Sequence, residues 1–237
     1  MLVPLTRTTL DRLVPSVATG AQYAYYWGQW QDLLKRLLIT GVAMVVVAIL
    51  GSLLGEGLRL ALWIVVFFYW LWEPIARASY RNASYRKYAY GGFWQGRVLD
   101  VYVTEEVVGV RETANERGEL AIVEDLERRL NLEVGDKTGF KTSIQAPLRR
   151  SQQQIKRGDV AQMVVFSDRP NLERIACTSD VYLPRVNLWV SDYPCLQRDT
   201  FVEVSQELRS RRGNTRPLSP KKAKLDKRQR STRRLER

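Results

Sequence analysis

Between Leu37 and Leu54 the chain runs for 18 residues, LLITGVAMVVVAILGSLL, without a charge. As a helix this stretch is about 27 Å long, close to the ~30 Å hydrocarbon thickness of a bilayer. Few soluble helices are apolar on every face over such a length. A second apolar run, Leu60 to Trp72, extends to Leu58–Ala76 if Arg59 and Glu73 sit at the two interfaces and reach the headgroups. Gly55-Glu56-Gly57 lies between the runs and is short enough to force antiparallel neighbours. The pattern predicts a two-span transmembrane hairpin over residues 37–76. A secretory signal does not fit, because the first run begins only after a mixed polar segment and no small-x-small cleavage pattern follows.

Charge sets the orientation. Lys35 and Arg36 precede the first run, and Arg77, Arg81, Arg86 and Lys87 follow the second, while the connector side offers Arg59. Positive residues stay inside, which places both termini in the cytoplasm. Tyr23, Tyr25, Tyr26, Trp27 and Trp30 before the first run, with Trp70 and Trp72 ending the second, would form an aromatic belt at that interface. The expected membrane-interface residues are therefore Tyr25, Tyr26, Trp27, Trp30, Lys35, Arg36, Trp70, Trp72, Arg77 and Arg81. Leu5, Leu10, Leu13, Val14 and Val17 recur at roughly helical spacing between Pro4 and Pro15. Residues 1–36 read as an N-terminal interfacial segment lying on the membrane surface, and 77–92 as a basic aromatic linker.

From residue 93 the pattern changes to short alternating runs. Leu130, Leu132 and Val134 alternate with polar residues, Gly135 to Gly139 supplies turn residues, and Phe140, Thr142, Ile144 and Ala146 alternate again. This is a β-hairpin signal. Val98–Val103, Val107–Val110, Leu120–Val123, Val160–Phe166, Ile175–Cys177, Val181–Leu183 and Leu188–Val190 read as further strands, with a turn at Arg157-Gly158-Asp159. Phe201–Leu208 suits a last strand or a short amphipathic helix. Residues 93–208 thus predict a small all-β cytoplasmic domain, barrel- or sandwich-like, with an oligonucleotide/oligosaccharide-binding or SH3-like barrel as first expectation. The overall class is an α+β membrane protein.

The net charge of +12 is concentrated in a tail: Arg209–Arg237 carries 13 Lys and Arg against Asp226 and Glu236. With few apolar residues, 209–237 reads as a disordered basic tail. Arg211, Arg212, Lys221, Lys222, Lys224, Lys227 and Arg228 are its expected polyanion-binding group. Ser219-Pro220-Lys221-Lys222 resembles a minor-groove element of histone-like tails, but the nearer polyanion for a membrane protein is anionic lipid, at about 1 kcal/mol per base near the surface. Lipid or an acidic protein is favoured over nucleic acid.

Chemistry is sparse. The chain has no histidine and two cysteines, so histidine triads, histidine metal sites, four-cysteine zinc and disulfide scaffolds are excluded. No Walker A loop, dinucleotide fingerprint or nucleophile elbow is present. Glu116, Glu119, Glu124, Asp125 and Glu127 cluster, but Arg117, Arg128 and Arg129 are interleaved, as on a solvated face. Cys177 and Cys195 have no histidine to activate them and read as buried or idle thiols. Asn82-Ala83-Ser84 spells a glycosylation sequon, which the topology puts in the cytoplasm. No catalytic residue, metal or cofactor is predicted, and the expectation is a non-enzyme.

Four strings together carry a resemblance: Trp27 to Asp32, Gly92 to Val101, Arg129 to Asp136, and Asn187 to Pro194. They resemble a family of cyanobacterial membrane proteins often labelled automatically as phosphate ABC transporter permeases. The resemblance covers residues 1 to about 208, excludes the tail, and implies a thylakoid or plasma membrane. Two functions follow as expectations. One is a membrane-anchored binding protein serving as accessory or assembly factor of a larger membrane complex, with a photosystem suggested by the resemblance alone. The other is an auxiliary subunit of a phosphate-type transporter. A membrane-tethered nucleic-acid binder ranks behind both.

Overall fold

The computed structural model describes residues 1–28, 30–51, 55–114 and 120–214. The chain divides into two units, Met1–Gln197 and Arg198–Arg237. The first unit contains helices and an eight-stranded antiparallel sheet. Its strands are β1 (Leu2–Leu5), β2 (Tyr90–Ala114), β3 (Leu120–Gly135), β4 (Lys141–Pro147), β5 (Val160–Ser167), β6 (Ile175–Thr178), β7 (Val181–Leu183) and β8 (Leu188–Val190). The order is β4-β3-β2-β5-β7-β8, with β1 on β2 and β6 on β5.

The long strand β2 organises the sheet. Its first residues, Tyr90–Arg97, pair with β5, and Gly91–Trp94 pair with β1 on the other side; from Arg97 onward it pairs with β3. The alternation seen in the sequence sets the β3–β4 register, Leu130 opposite Ala146 and Leu132 opposite Ile144. These residues pack with Trp94, Val98, Met163, Val165, Val181, Leu183 and Val190 in one cluster. Because both end strands, β4 and β8, feed that cluster, the sheet is strongly curled, and Cα atoms of the two ends come within 8 Å. The expected barrel or sandwich is therefore corrected to one open, curled sheet. β8 has three residues and β4 ends at Pro147, so neither supplies the long ladder that closure requires. Gly96 lets the Trp94 ring lie flat across the strand, since a Cβ there would collide with the indole and with the Gly135 carbonyl.

The opposite face of β2 and β5 carries helices. In α1 (Arg7–Leu13), Thr6 caps the first turn and Leu10 and Leu13 are buried, with Leu10 against Gly91. Residues 1–14 are thus sheet edge and packed helix, which corrects the surface-lying segment expected there. Pro4 is compatible with β1 because that strand pairs on one side only, with β2. Helix α2 (Gly20–Trp27) opens with a capping box between Thr19 and Gln22.

Helix α3 (Trp30–Leu50) is long and apolar enough to cross a membrane. Helices α4 (Glu56–Phe67) and α5 (Tyr69–Arg86) pass the same test only as a pair, and they meet at 76°. The first unit therefore holds one such helix among its described residues, or two if the bent pair counts as one. A straight second span to Ala76 is corrected by that bend. Pro74 lies inside α5, where it removes the bond to the Trp70 carbonyl; the break itself is farther upstream, at Phe68. Gly55 caps α4 and Glu56 and Gly57 open it, rather than forming a connector. The expected 77–92 linker is divided between α5 and the start of β2.

The second unit contains α6 (Arg198–Asn214), 17 residues, so the helical alternative holds at Phe201–Leu208. The helix also runs through Arg209–Asn214, including Arg211 and Arg212, which the sequence reading assigned to the disordered tail. Lys221, Lys222, Lys224, Lys227 and Arg228 lie outside the described residues, as do Glu116 and Arg117.

Candidate functional site

A buried charge cluster joins α3 to α5 and to the end of α2. Arg36 of α3 and Glu73 of α5 are both almost fully buried, with Arg36 Nε 2.8 Å from Glu73 Oε2. Arg36 also donates to the backbone carbonyls of Trp27, at 3.2 Å, and Tyr26. Its guanidinium lies 5.9 Å from the Trp27 ring. Glu73 carries a second ion pair, to Arg77 one turn on. Thr40 donates to the Arg36 carbonyl at 2.9 Å. The reading of Glu73 as a charge reaching out to the headgroups is corrected: it is buried against Arg36, which avoids the cost of burying either ion alone.

The remaining interface residues separate into two groups. Trp30 is 68% exposed, Lys35 is exposed beside Asp32, and Trp72 is exposed with its indole donating to the Val65 carbonyl at 2.9 Å. Trp27 and Trp70 pack edge to face at 6.2 Å. Tyr25, Tyr26 and Arg81 instead turn toward Tyr193, in the segment after β8. Tyr25 stacks edge-on to Tyr193 at 5.2 Å, Tyr26 lies at 5.7 Å, and Arg81 sits 4.1 Å from the ring centroid.

Around Arg81 and Tyr193 lies a cleft of about 190 Å³. Its walls are α5 (Arg81, Tyr85), β4 (Ser143, Ile144, Gln145), the β6–β7 turn (Thr178, Ser179, Asp180) and the strand exit Ser191–Tyr193 with Cys195. It opens where the curled sheet fails to close, because β4 and the residues after β8 approach without pairing. Asp192 is shared: Arg81 and Arg129 approach its carboxylate at 3.8 and 3.9 Å, and the Tyr25 hydroxyl donates to it at 3.4 Å. Arg129 also meets Glu106 and Glu127.

A polar brace beneath the cleft fixes its wall. Gln22 and Asn82, both fully buried, exchange amide hydrogen bonds at 3.0 and 2.9 Å. Tyr193 donates to Asn82 Oδ1 at 3.1 Å, and Gln22 donates to the Pro194 carbonyl at 2.9 Å. The sequon asparagine is thus a core brace between α2, α5 and the β8 exit. Sequence reasoning missed Gln22, Asp180 and Tyr193, because contacts across 60 to 172 positions leave no local pattern.

The electrostatics favour protonated, uncharged groups. Burial pushes the Tyr85 hydroxyl up to about 12, with Cys195 nearby adding to it. Burial likewise raises Tyr193, and raises the fully buried Cys195 thiol, which faces Asp180 and donates to its Oδ1 at 2.8 Å. Cys177 is pushed up to about 11 by burial. Burial pulls on the Arg81 guanidinium, but hydrogen bonding to Tyr26 and Tyr25 outweighs it and holds the charge. The cleft therefore presents phenol and hydroxyl donors, one fixed cation and the carboxyl groups of Asp180 and Asp192, with both thiols kept out of the nucleophilic form.

Residues 3–213 match a family of unknown function, DUF8619. The chain belongs to this family. No curated protein and no solved structure matches it. The family match runs through the apolar helices, the sheet and α6 to residue 213, and leaves most of the basic tail outside, as the resemblance read from the sequence did.

Proposed function

We propose that the chain is a non-enzymatic, membrane-anchored binding protein. In this reading α3 and α4 sit in a thylakoid or plasma membrane with both termini cytoplasmic. The curled sheet and its cleft are then held at the cytoplasmic surface as an accessory or assembly module of a larger membrane complex. The carrying observation is the uncovered apolar surface of the two helices: Leu38, Ile49 and Leu60 are 70, 67 and 64% exposed, amid a dozen similar neighbours. A patch of that extent is far larger than a soluble monomer sustains, and lipid is the solvent that relieves it. The protonated thiols and phenols support binding over nucleophilic chemistry. Photosynthetic membranes enter through the cyanobacterial resemblance alone, and the basic tail adds an attraction for anionic lipid.

Affinity capture of the full chain from membranes in mild detergent, followed by mass spectrometry, tests the partner. Photosystem subunits and their assembly factors would support the proposal. Transport proteins and ATPases would move the assignment to an auxiliary transporter subunit.

A further inference from the structure

The break after α4 redirects the chain by 76° across Phe68 alone. If α4 follows the bilayer normal, α5 runs close to the membrane plane. The surface of α5 is suited to that position. Its inward side is Glu73, Pro74, Ala78 and Asn82, all buried. Its outward side carries Leu71, Trp72, Ile75 and Tyr80, exposed at 41, 39, 38 and 80%. At 100° per residue these four fall within roughly half of the helix circumference.

The charges agree with the apolar face. The only carboxylate in α5 is Glu73, and it is turned inward onto Arg36 and Arg77. Beside the apolar face the exposed charge is Lys87, just past the helix end; Arg77 is exposed on the Glu73 side and paired with it. An exposed helical face of aliphatic and aromatic residues with a cation at its end and no exposed acid suits a headgroup boundary. The face is also continuous with the uncovered surface of α4, since Phe67 and Phe68 at the bend are 51 and 44% exposed.

We propose that α5 is an in-plane interfacial helix. Leu71, Trp72, Ile75 and Tyr80 rest on the acyl chains of the cytoplasmic leaflet, and Lys87 engages lipid phosphates. The inference rests on the membrane reading above and goes beyond it: the second apolar run is not a straight span, and α4, about 18 Å long, is the part of it that enters the hydrocarbon. The buried Arg36–Glu73 pair then marks where α5 crosses α3 at the membrane surface, so the sheet is carried by a helix whose rotation about its own axis is fixed by lipid.

Spin labels test the geometry. The full chain, with Cys177→Ser to remove the partly exposed native thiol, is reconstituted into vesicles of phosphatidylcholine and phosphatidylglycerol. Single labels are introduced by Leu71→Cys, Ile75→Cys, Tyr80→Cys and Ala83→Cys on α5, and by Val45→Cys on α3 as a reference. Depth is read from the balance of oxygen and nickel-chelate relaxation. An in-plane helix puts the four α5 labels at the headgroup boundary, at depths that differ by less than the ~10–12 Å diameter of a helix and show no steady step along the chain. A helix continuing a span would step about 1.5 Å per residue, roughly 18 Å from position 71 to position 83. That progression, or four labels in bulk water while position 45 lies in hydrocarbon, would overturn the proposal and leave the anchor standing. Position 45 in bulk water would instead refute the membrane reading, and the in-plane helix with it.

Discussion

Replacing Glu73 by Gln isolates the contact that joins α3 to α5. Arg36 and Glu73 are 6 and 5% exposed at their side chains and 2.8 Å apart. At an effective dielectric of about 20 the direct attraction at that distance is roughly 6 kcal/mol. Most of it offsets the desolvation of the two ions, so the pair itself adds little net stability. Removing one partner is different, because it leaves a buried guanidinium; such changes cost about 3–5 kcal/mol. Arg36 keeps two carbonyl acceptors, on Trp27 and Tyr26, which places the expected loss near the lower end, about 3 kcal/mol. For a chain of this size that corresponds to a fall in Tm of about 6–12 °C. The assay is thermal unfolding of the full chain in mild detergent, followed by tryptophan fluorescence. The double replacement Arg36→Met with Glu73→Leu removes both ions and should recover more than half of the loss. A Glu73→Gln protein melting within about 1 °C of the unaltered chain would refute the buried-pair reasoning, and so would a double replacement worse than the single one.

Leu132 is fully buried in the curled sheet whereas Leu38 is 70% exposed, so Leu132→Ala should cost about 2–5 kcal/mol and Leu38→Ala almost nothing in detergent, measured by the same melts. Gly96→Ala drives a methyl into the Trp94 indole and the Gly135 carbonyl; a loss of about 1–3 kcal/mol and a changed near-ultraviolet dichroism of Trp94 are expected. Asp159 is held below the usual carboxylate range, first by Arg185 at 2.6 Å and also by the Lys156 amide. A group lowered in the folded state stabilises fully above its unfolded value near 4 and loses that contribution as pH falls through the folded value. Denaturant melts between pH 7 and pH 2 should therefore show less acid sensitivity in Asp159→Asn than in the parent chain. Ending the chain after Asn214, which keeps α6 whole, should leave membrane insertion unchanged and weaken salt-sensitive binding to anionic vesicles; stronger loss of binding to duplex DNA than to vesicles at physiological salt would reverse the preference for lipid.

The parts of this fold that could be read from the sequence are those with local periodicity. Leu130, Leu132 and Val134 against Ile144 and Ala146 announced the β3–β4 hairpin and its register, and the apolar run at Val160 announced β5. The length of β2 was hidden because bulges near Leu99 and Val108 shift the alternation, breaking one strand into two apparent ones. β1 was hidden by Pro4, which argues against a central strand but is allowed on one paired on a single side. The bend at Phe68 was hidden, because the apolar run passes through it without interruption. Arg36 and Glu73 each looked like the charged end of an apolar run, and nothing local shows that two such ends meet. The same holds for the cleft: Tyr25, Arg81, Asp192 and Tyr193 come from three separate parts of the chain and converge only because the sheet curls without closing.

Alkaline extraction combined with protease protection reaches the central claim most directly. Membranes bearing the full chain are washed with carbonate, and sealed right-side-out and inverted vesicles are treated with protease. The account predicts that the chain stays with the membrane pellet, that the sheet survives in right-side-out vesicles, and that it is lost in inverted ones. Release of the chain into the carbonate supernatant would contradict the apolar anchor, and digestion of the sheet from the outer side would contradict its cytoplasmic placement.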